Sequence, residues 1–284
     1  MTIGRPIPIL VINLLRSPDR RENMGRQLSA LGLRHRFVDA VDGKSPTFVA
    51  SQPSTLTLGE IACHLSHRKC WQDLLASEDT HVLILEDDVI ISPLLCEIVE
   101  RRLALPDKAH IIRLETWCRS VQVHRGRSLA SDGVTLHKLY KGDLGCAGYV
   151  ISRTGAQRLL NVGRVGELPV DHLVFDLSEP VARGLTVYQA VPGLCVQGDI
   201  WYAQDLPEML RSDLETERRR RFNRAKRPLT RPQKIRREIW RIERQIRAVP
   251  QWIAGRLFLR IHTVQVPFAA GKTAPGAELR GAGA

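Results

Sequence analysis

An apolar run, Val82-Leu83-Ile84-Leu85, passes without a break into three carboxylates, Glu86-Asp87-Asp88. A short aliphatic run of this kind reads as a strand buried on both faces. Three adjacent acids at its end repel one another unless a cation or basic side chains meet them. Strand alternation would send Glu86 and Asp88 to one side and Asp87 to the other. A hard divalent ion, Mn²⁺ or Mg²⁺, suits such a place, because it takes one or two carboxylates and completes its shell with water and substrate phosphates. A solvated turn of helix-capping acids is the plain alternative.

The surrounding pattern supplies a sheet for this strand. Ile7 to Asn13 is a β-branched apolar run ended by a polar residue. Ser17-Pro18 then reads as an N-cap with proline at the first helical position, Met24, Leu28 and Leu31 form one stripe, and Gly32 closes the helix. Arg34 to Val41 is a second strand, closed by Asp42-Gly43, which makes a βαβ unit. Thr57-Leu58-Gly59-Glu60 is a capping box opening a helix to about Ala76. Strands follow at Ala109 to Leu114, Ala147 to Ile151 and Thr186 to Val191, with a helix from Arg153 to about Asn161 and a long Gly/Ser-containing excursion over Arg119 to Asp143. Alternation of this kind predicts an α/β domain with a mainly parallel central sheet flanked by helices. Ligands of such sheets bind at the carboxyl ends of the strands, where Asn13, Glu86 to Asp88 and Glu115 fall.

The net charge of +12 is local. Arg218 to Arg247 holds 14 basic residues and two acids, so this segment carries the whole excess. Ile235, Ile239, Ile242, Ile246 and Val249 share a narrow helical arc opposite the arginines, and Trp252, Ile253, Leu257 and Phe258 follow. The expectation is therefore three parts: a domain over 1–210, a basic amphipathic helical segment over 211–268, and a disordered tail over 269–284. No apolar stretch approaches the roughly 20 residues of a membrane span, and no signal peptide is apparent at the start. Six scattered cysteines without a Cys-x-x-Cys pair suggest reduced thiols, and Cys63-His64-Leu65-Ser66-His67 alone is a weak zinc signal. No Gly-x-x-x-x-Gly-Lys-Ser/Thr or Gly-x-Gly-x-x-Gly loop occurs.

Taken in order, Ile12-Asn13-Leu14 with Arg16 to Arg21, Phe37 to Gly43, Gly59 to His67, Leu83 to Val89, Gly148 to Ala156 and Pro169-Val170-Asp171 resemble glycosyltransferase family 25, the lipooligosaccharide and lipopolysaccharide galactosyltransferase-like enzymes. The resemblance spans about residues 7–200. It implies a Rossmann-like GT-A fold, a UDP-hexose donor such as UDP-galactose, inverting transfer, and Mn²⁺ or Mg²⁺ at the acidic motif. By the same resemblance Asp88 is the metal ligand, Glu86 a supporting acid and Asp87 a ribose or sugar contact. Asn13, Arg16 and Arg20 lie beside the nucleotide, and Asp42, Ser66 and His67 stand in matched motifs as donor or acceptor contacts. A surface salt-bridge role is the competing reading for Arg20, and a structural role for His67. Deprotonating the acceptor hydroxyl needs a general base. Asp171 is the first candidate, although an Asp after proline is often a helix cap, and Glu115 and Asp143 compete.

These readings together describe a metal-dependent hexosyltransferase acting on a lipid-linked oligosaccharide. Its basic stretch, over about 218–266, would hold it to the anionic inner face of a bacterial inner membrane from the cytoplasmic side. Two other functions remain open on the sequence: an arginine-rich nucleic-acid binder, not expected here because residues 1–217 carry no basic bias, and a non-catalytic transferase-like partner.

Overall fold

A computed structural model describes residues 5–48, 54, 56–100, 103–125, 129–131, 133–163, 165–202, 205–210 and 261–271. The strands are β1 (Ile9–Asn13), β2 (Arg36–Asp39), β3 (His81–Glu86), β4 (Val89–Ile91), β5 (Ile111–Arg113), β6 (Ser120–His124), β7 (Leu129–Ser131), β8 (Val134–Lys141), β9 (Gly148–Ser152), β10 (Val187–Val191), β11 (Cys195–Gln197) and β12 (Ile261–Gln265). The helices are α1 (Pro18–Ala30), α2 (Leu58–Ala76), α3 (Leu95–Val99), α4 (Arg153–Val162), α5 (Val170–Phe175), α6 (Pro180–Arg183) and α7 (Gly198–Tyr202).

The main sheet runs β12-β6-β8-β10-β5-β9-β3-β1-β2, with β7 beside β8, and β4 and β11 form a separate pair. Pleating sorts the core into two layers. Ile9, Val11, Leu83, Leu85 and Val150 face one cluster with Met24 and Leu28 of α1. Leu10, Ile12, Val82, Ile84, Tyr149 and Ile151 face the other with Trp71 and Leu74 of α2. Strands buried on both faces are what the unbroken apolar runs require.

The opening βαβ unit is present, with β1 parallel to β2 and to β3. Pro18 takes the first turn of α1, while Ser17 caps by position only, without a side-chain bond. Thr57 and Glu60 form the full capping box at α2. The sheet as a whole is mixed, however, which corrects the expectation of a mainly parallel one. β9 runs antiparallel to both neighbours, β3 and β5, and β6, β8, β10 and β12 pair antiparallel. The excursion over 119–143 holds β6, β7 and β8, a meander that needs no crossover helix. Its period-two signal, Val121 and Val123 then Val134 and Leu136, all buried, is short and slips by one residue before the buried Leu139, where the β6–β8 register is irregular.

A second correction concerns the end of the chain. Ile261–Gln265 is an edge strand on β6, not part of a helical segment. Val266 is buried, its carbonyl accepts from Thr116 Oγ1 at 2.5 Å, and Phe268 meets Trp201 edge-on at 5.0 Å. Ala269 donates its N–H to Gly193 at 3.0 Å, so 269–271 belong to the domain as well. Val266 is thus no membrane contact, and the basic stretch is bounded on both sides by residues of the domain, Leu210 and Ile261. The expected amphipathic helix over 211–260 and the tail from 272 lie outside the described residues. No helix among the described residues is long and apolar enough to cross a membrane.

α2 carries several site residues and its start rests on the capping box. Thr57→Ala should lower stability by about 1 kcal/mol in urea titration, while Thr57→Ser should stay within a few tenths of wild type.

Candidate active site

The carboxyl ends of β1 and β3, the loop after β2 and the first half of α2 enclose a cleft of about 720 Å³ of empty space, part of it open to solvent. Its apolar lining is Ile12, Ala40, Val41, Gly43, Gly59 and Ala62. Gly43 is required by close approach, because a Cβ there would stand 2.6 Å from the Leu58 carbonyl oxygen. Ser66 pins the loop to α2, accepting the Val41 N–H at 2.9 Å and donating to the Ala62 carbonyl at 2.8 Å. Asp42 accepts from Arg16 Nε at 2.9 Å and from the Lys44 N–H at 2.9 Å. Arg16, Arg20 and Lys44 bring positive charge to the cleft.

The acidic triplet lines the same cleft. β3 ends at Glu86, and Asp87-Asp88 form a turn into β4, so the strand alternation stops before it can divide the acids. All three line the one cleft, which corrects the expected split. Asp87 is tied down at both oxygens, Oδ2 accepting from Asn13 Nδ2 at 2.7 Å and Oδ1 from Arg20 Nη1 at 3.0 Å. Arg20 therefore lines the cleft, held 3.0 Å from Asp87 and 3.9 Å from Asp88. Its neighbour Arg21 is the surface residue, lying over the Phe37 ring at 4.3 Å.

Asp88 is buried, and its Oδ1 has no hydrogen-bond partner among the described residues. Burial, together with the charges of Glu86, Asp87 and Asp199, pushes its pKa well above the carboxylate range despite Arg20. Hard oxygen donors with a buried, unsatisfied oxygen fit a divalent ion such as Mn²⁺ or Mg²⁺. Asp199, at the start of α7, escaped sequence reading. It arrives through the pairing of β11 with β4, after which the Gly198 N–H donates to the Asp88 carbonyl at 2.8 Å.

His67 closes the cleft floor. It is fully buried, with Nδ1 2.9 Å from the Tyr149 hydroxyl and Nε2 3.3 Å from Glu86 Oε1. Burial drives its pKa down to about 4, offset in part by Asp171. His64, one position from Cys63, is also driven to about 4 by burial. Cys63, the His67 ring and Glu86 offer donor atoms within 4.8 Å of one another.

The three candidate general bases, Glu115, Asp143 and Asp171, do not line the cleft. Glu115 is sealed inside, accepting from Trp117 Nε1 and the Ala147 N–H, both at 3.1 Å, with Arg113 at 3.7 Å. Burial lifts its pKa to about 7, but its work is to offset the buried Arg113. Asp143 pairs with Arg119 at 4.0 Å, and its carbonyl accepts from Arg113. Asp171 is half-buried at the start of α5, where one oxygen accepts the His172 N–H at 3.0 Å. Its charge nonetheless reaches His67.

The sequence profile described as glycosyltransferase family 25 (LPS biosynthesis protein) matches residues 6–174. The chain belongs to glycosyltransferase family 25. It is 31% identical over 254 residues to the lipooligosaccharide biosynthesis protein lic2B of Haemophilus influenzae, covering 81% of this chain and 94% of that one. The lacto-N-neotetraose biosynthesis glycosyltransferase LgtE of Neisseria gonorrhoeae is 30% identical over 233 residues, covering 73% and 80%. A solved glycosyltransferase involved in glycosylation of the major capsid of PBCV-1 superposes with a TM-score of 0.38 at 11% identity, over 68% of this chain and 94% of that one, too distant to carry a structural argument. As a member of this family the protein is a glycosyltransferase.

The buried histidines set an acid limit on this family member's stability. Both are held neutral, so the folded state takes up fewer protons than the unfolded one below pH 6.5, and stability falls from there toward pH 4. Each contributes at most roughly 3 kcal/mol across that window. His64→Leu should lose about 2 kcal/mol less than wild type between pH 7 and 5 in urea titrations; equal losses would show that His64 titrates normally.

Proposed function

We propose that the protein transfers a hexose, galactose by likeness to its relatives, from a UDP-sugar to a lipooligosaccharide- or lipopolysaccharide-type acceptor, with inversion at the sugar. The observation that carries this is the composition of the cleft lining: small and apolar residues, three cations, and three carboxylates with one buried oxygen left unsatisfied. The apolar lining suits a base, and Arg16, Arg20 and Lys44 suit a diphosphate. Asp88, with Glu86 beside it, would hold Mn²⁺ or Mg²⁺. Such an ion, when bound, neutralises charge growing on the departing diphosphate. Asp87, held by Asn13 and Arg20 with one bond to each oxygen, aims Arg20 and keeps lone pairs to accept from a ribose or sugar hydroxyl. Asp171 remains our assignment for the base that takes the acceptor proton. A nucleotide at the carboxyl ends of β1 and β3 accords with a GT-A type fold.

We place the enzyme at the cytoplasmic face of the inner membrane, held peripherally by the arginines of 218–247. Near an anionic surface each basic residue contributes on the order of 1 kcal/mol.

UDP release should require Mn²⁺ or Mg²⁺ with at least one of UDP-galactose, UDP-glucose and their N-acetyl forms, and Asp88→Asn should reduce it by about a hundredfold or more. Turnover with none of the four, or an unaffected variant, rejects the assignment.

Deleting 218–247 while keeping Ile261–Gly271 on the domain should release the protein from anionic vesicles in sedimentation and leave UDP release intact. Truncation at 211 would not test this, because it also strips β12 from β6.

A further inference from the structure

Behind the cleft floor, three buried side chains form a line that ends on Glu86. Trp71 Nε1 lies 2.9 Å from the Tyr149 hydroxyl, that hydroxyl lies 2.9 Å from His67 Nδ1, and His67 Nε2 lies 3.3 Å from Glu86 Oε1. Trp71, Tyr149 and His67 are completely buried, with the His67 and Tyr149 rings stacked at 5.7 Å. Water does not reach these groups to repair a mismatch, so each proton must have an assigned acceptor.

The chemistry of the groups fixes the direction. An indole N–H only donates, so the Tyr149 oxygen accepts from Trp71. The phenolic proton must then go to an acceptor, and among the described residues the remaining partner of that hydroxyl is His67 Nδ1. Nδ1 is therefore bare, the ring proton sits on Nε2, and Nε2–H donates to the Glu86 carboxylate. With the opposite tautomer, two N–H groups would point at the phenol oxygen, the phenol proton would be stranded in the core, and a bare Nε2 would face a carboxylate. A doubly protonated ring would likewise turn an N–H on the phenol oxygen and strand the phenol proton, so the ring carries one proton and its placement matters.

We propose that Trp71, Tyr149 and His67 are positioning residues: a one-directional donor chain that locks the His67 tautomer and through it the orientation of Glu86 toward the sugar nucleotide. The proposal rests on the reading that this cleft holds the donor. It competes with a second use of the same atoms, a thiophilic cation held by Cys63, His67 and Glu86, which would need Nε2 without its proton.

The two are separated by ¹⁵N–¹H long-range correlation spectra of the full chain labelled at histidine, with His67 assigned by its absence in His67→Gln. The Nε2–H tautomer in wild type and a mixture of tautomers in Tyr149→Phe are expected. In turnover with UDP-galactose, Tyr149→Phe should raise donor KM by about tenfold and change kcat by less than about threefold. His67→Gln, whose carbonyl can accept the Tyr149 proton while its NH₂ donates to Glu86, should fall closer to wild type than His67→Leu. An Nδ1–H tautomer in wild type, an unchanged tautomer and KM in Tyr149→Phe, or stoichiometric Zn²⁺ uptake that removes the Nε2 proton and is lost in Cys63→Ser would overturn the proposal. Because the spectra need no donor, absence of turnover with any UDP-hexose would count against the function while the tautomer still decides the chain.

Discussion

The carboxylate of Asp87 is the joint on which the cleft depends. One oxygen holds Asn13 at the end of β1 and the other holds Arg20 on α1, so three pieces separated by up to 74 residues are drawn to one point. Both bonds are charge-assisted and largely shielded from water, where such contacts are strongest. The arrangement also resolves the repulsion of three adjacent acids. Asp87 is neutralised by Arg20, Glu86 lies 3.3 Å from His67 Nε2, and Asp88 keeps one buried oxygen unsatisfied.

The other organising constraint is the reversed strand β9. By entering antiparallel between β3 and β5, it sets Gly148 opposite Leu85 and Tyr149 opposite Ile84, just behind the acids. A Cβ at position 148 would lie 2.2 Å from Cys195 Sγ, so glycine lets β11 pass this close. Tyr149 packs in the core and turns its hydroxyl toward His67 and Trp71 of α2. A wholly parallel sheet would have placed a crossover helix here and left His67 without its partner.

Much of this was legible locally. The capping box at Thr57, proline at the start of α1, Gly32 at its end and the doubly buried runs of β1 and β3 are decided by neighbours within a few residues. Nine of the eleven predicted site residues either line the cleft or, as Asn13 does, grip a residue that lines it. Glu115 and Asp171 were harder, since a carboxylate near the end of a strand or helix reads the same whether it faces solvent, substrate or a buried arginine. Only the position of Arg113 shows that Glu115 is occupied within the core. The strands of 119–143 were hidden because antiparallel strands with one solvated face tolerate polar and charged residues at every second position.

By itself the sequence determined the element types, the caps, the family and the concentration of positive charge between 218 and 247, because each depends on residue order over short spans. The tertiary structure decided strand direction, the return of 261–271 to the sheet, the arrival of Asp199 beside Asp88, and the partner of each acid. Those depend on contacts between residues far apart in the chain, and whether a carboxylate is clamped, sealed or left facing a cleft is a property of what surrounds it in space.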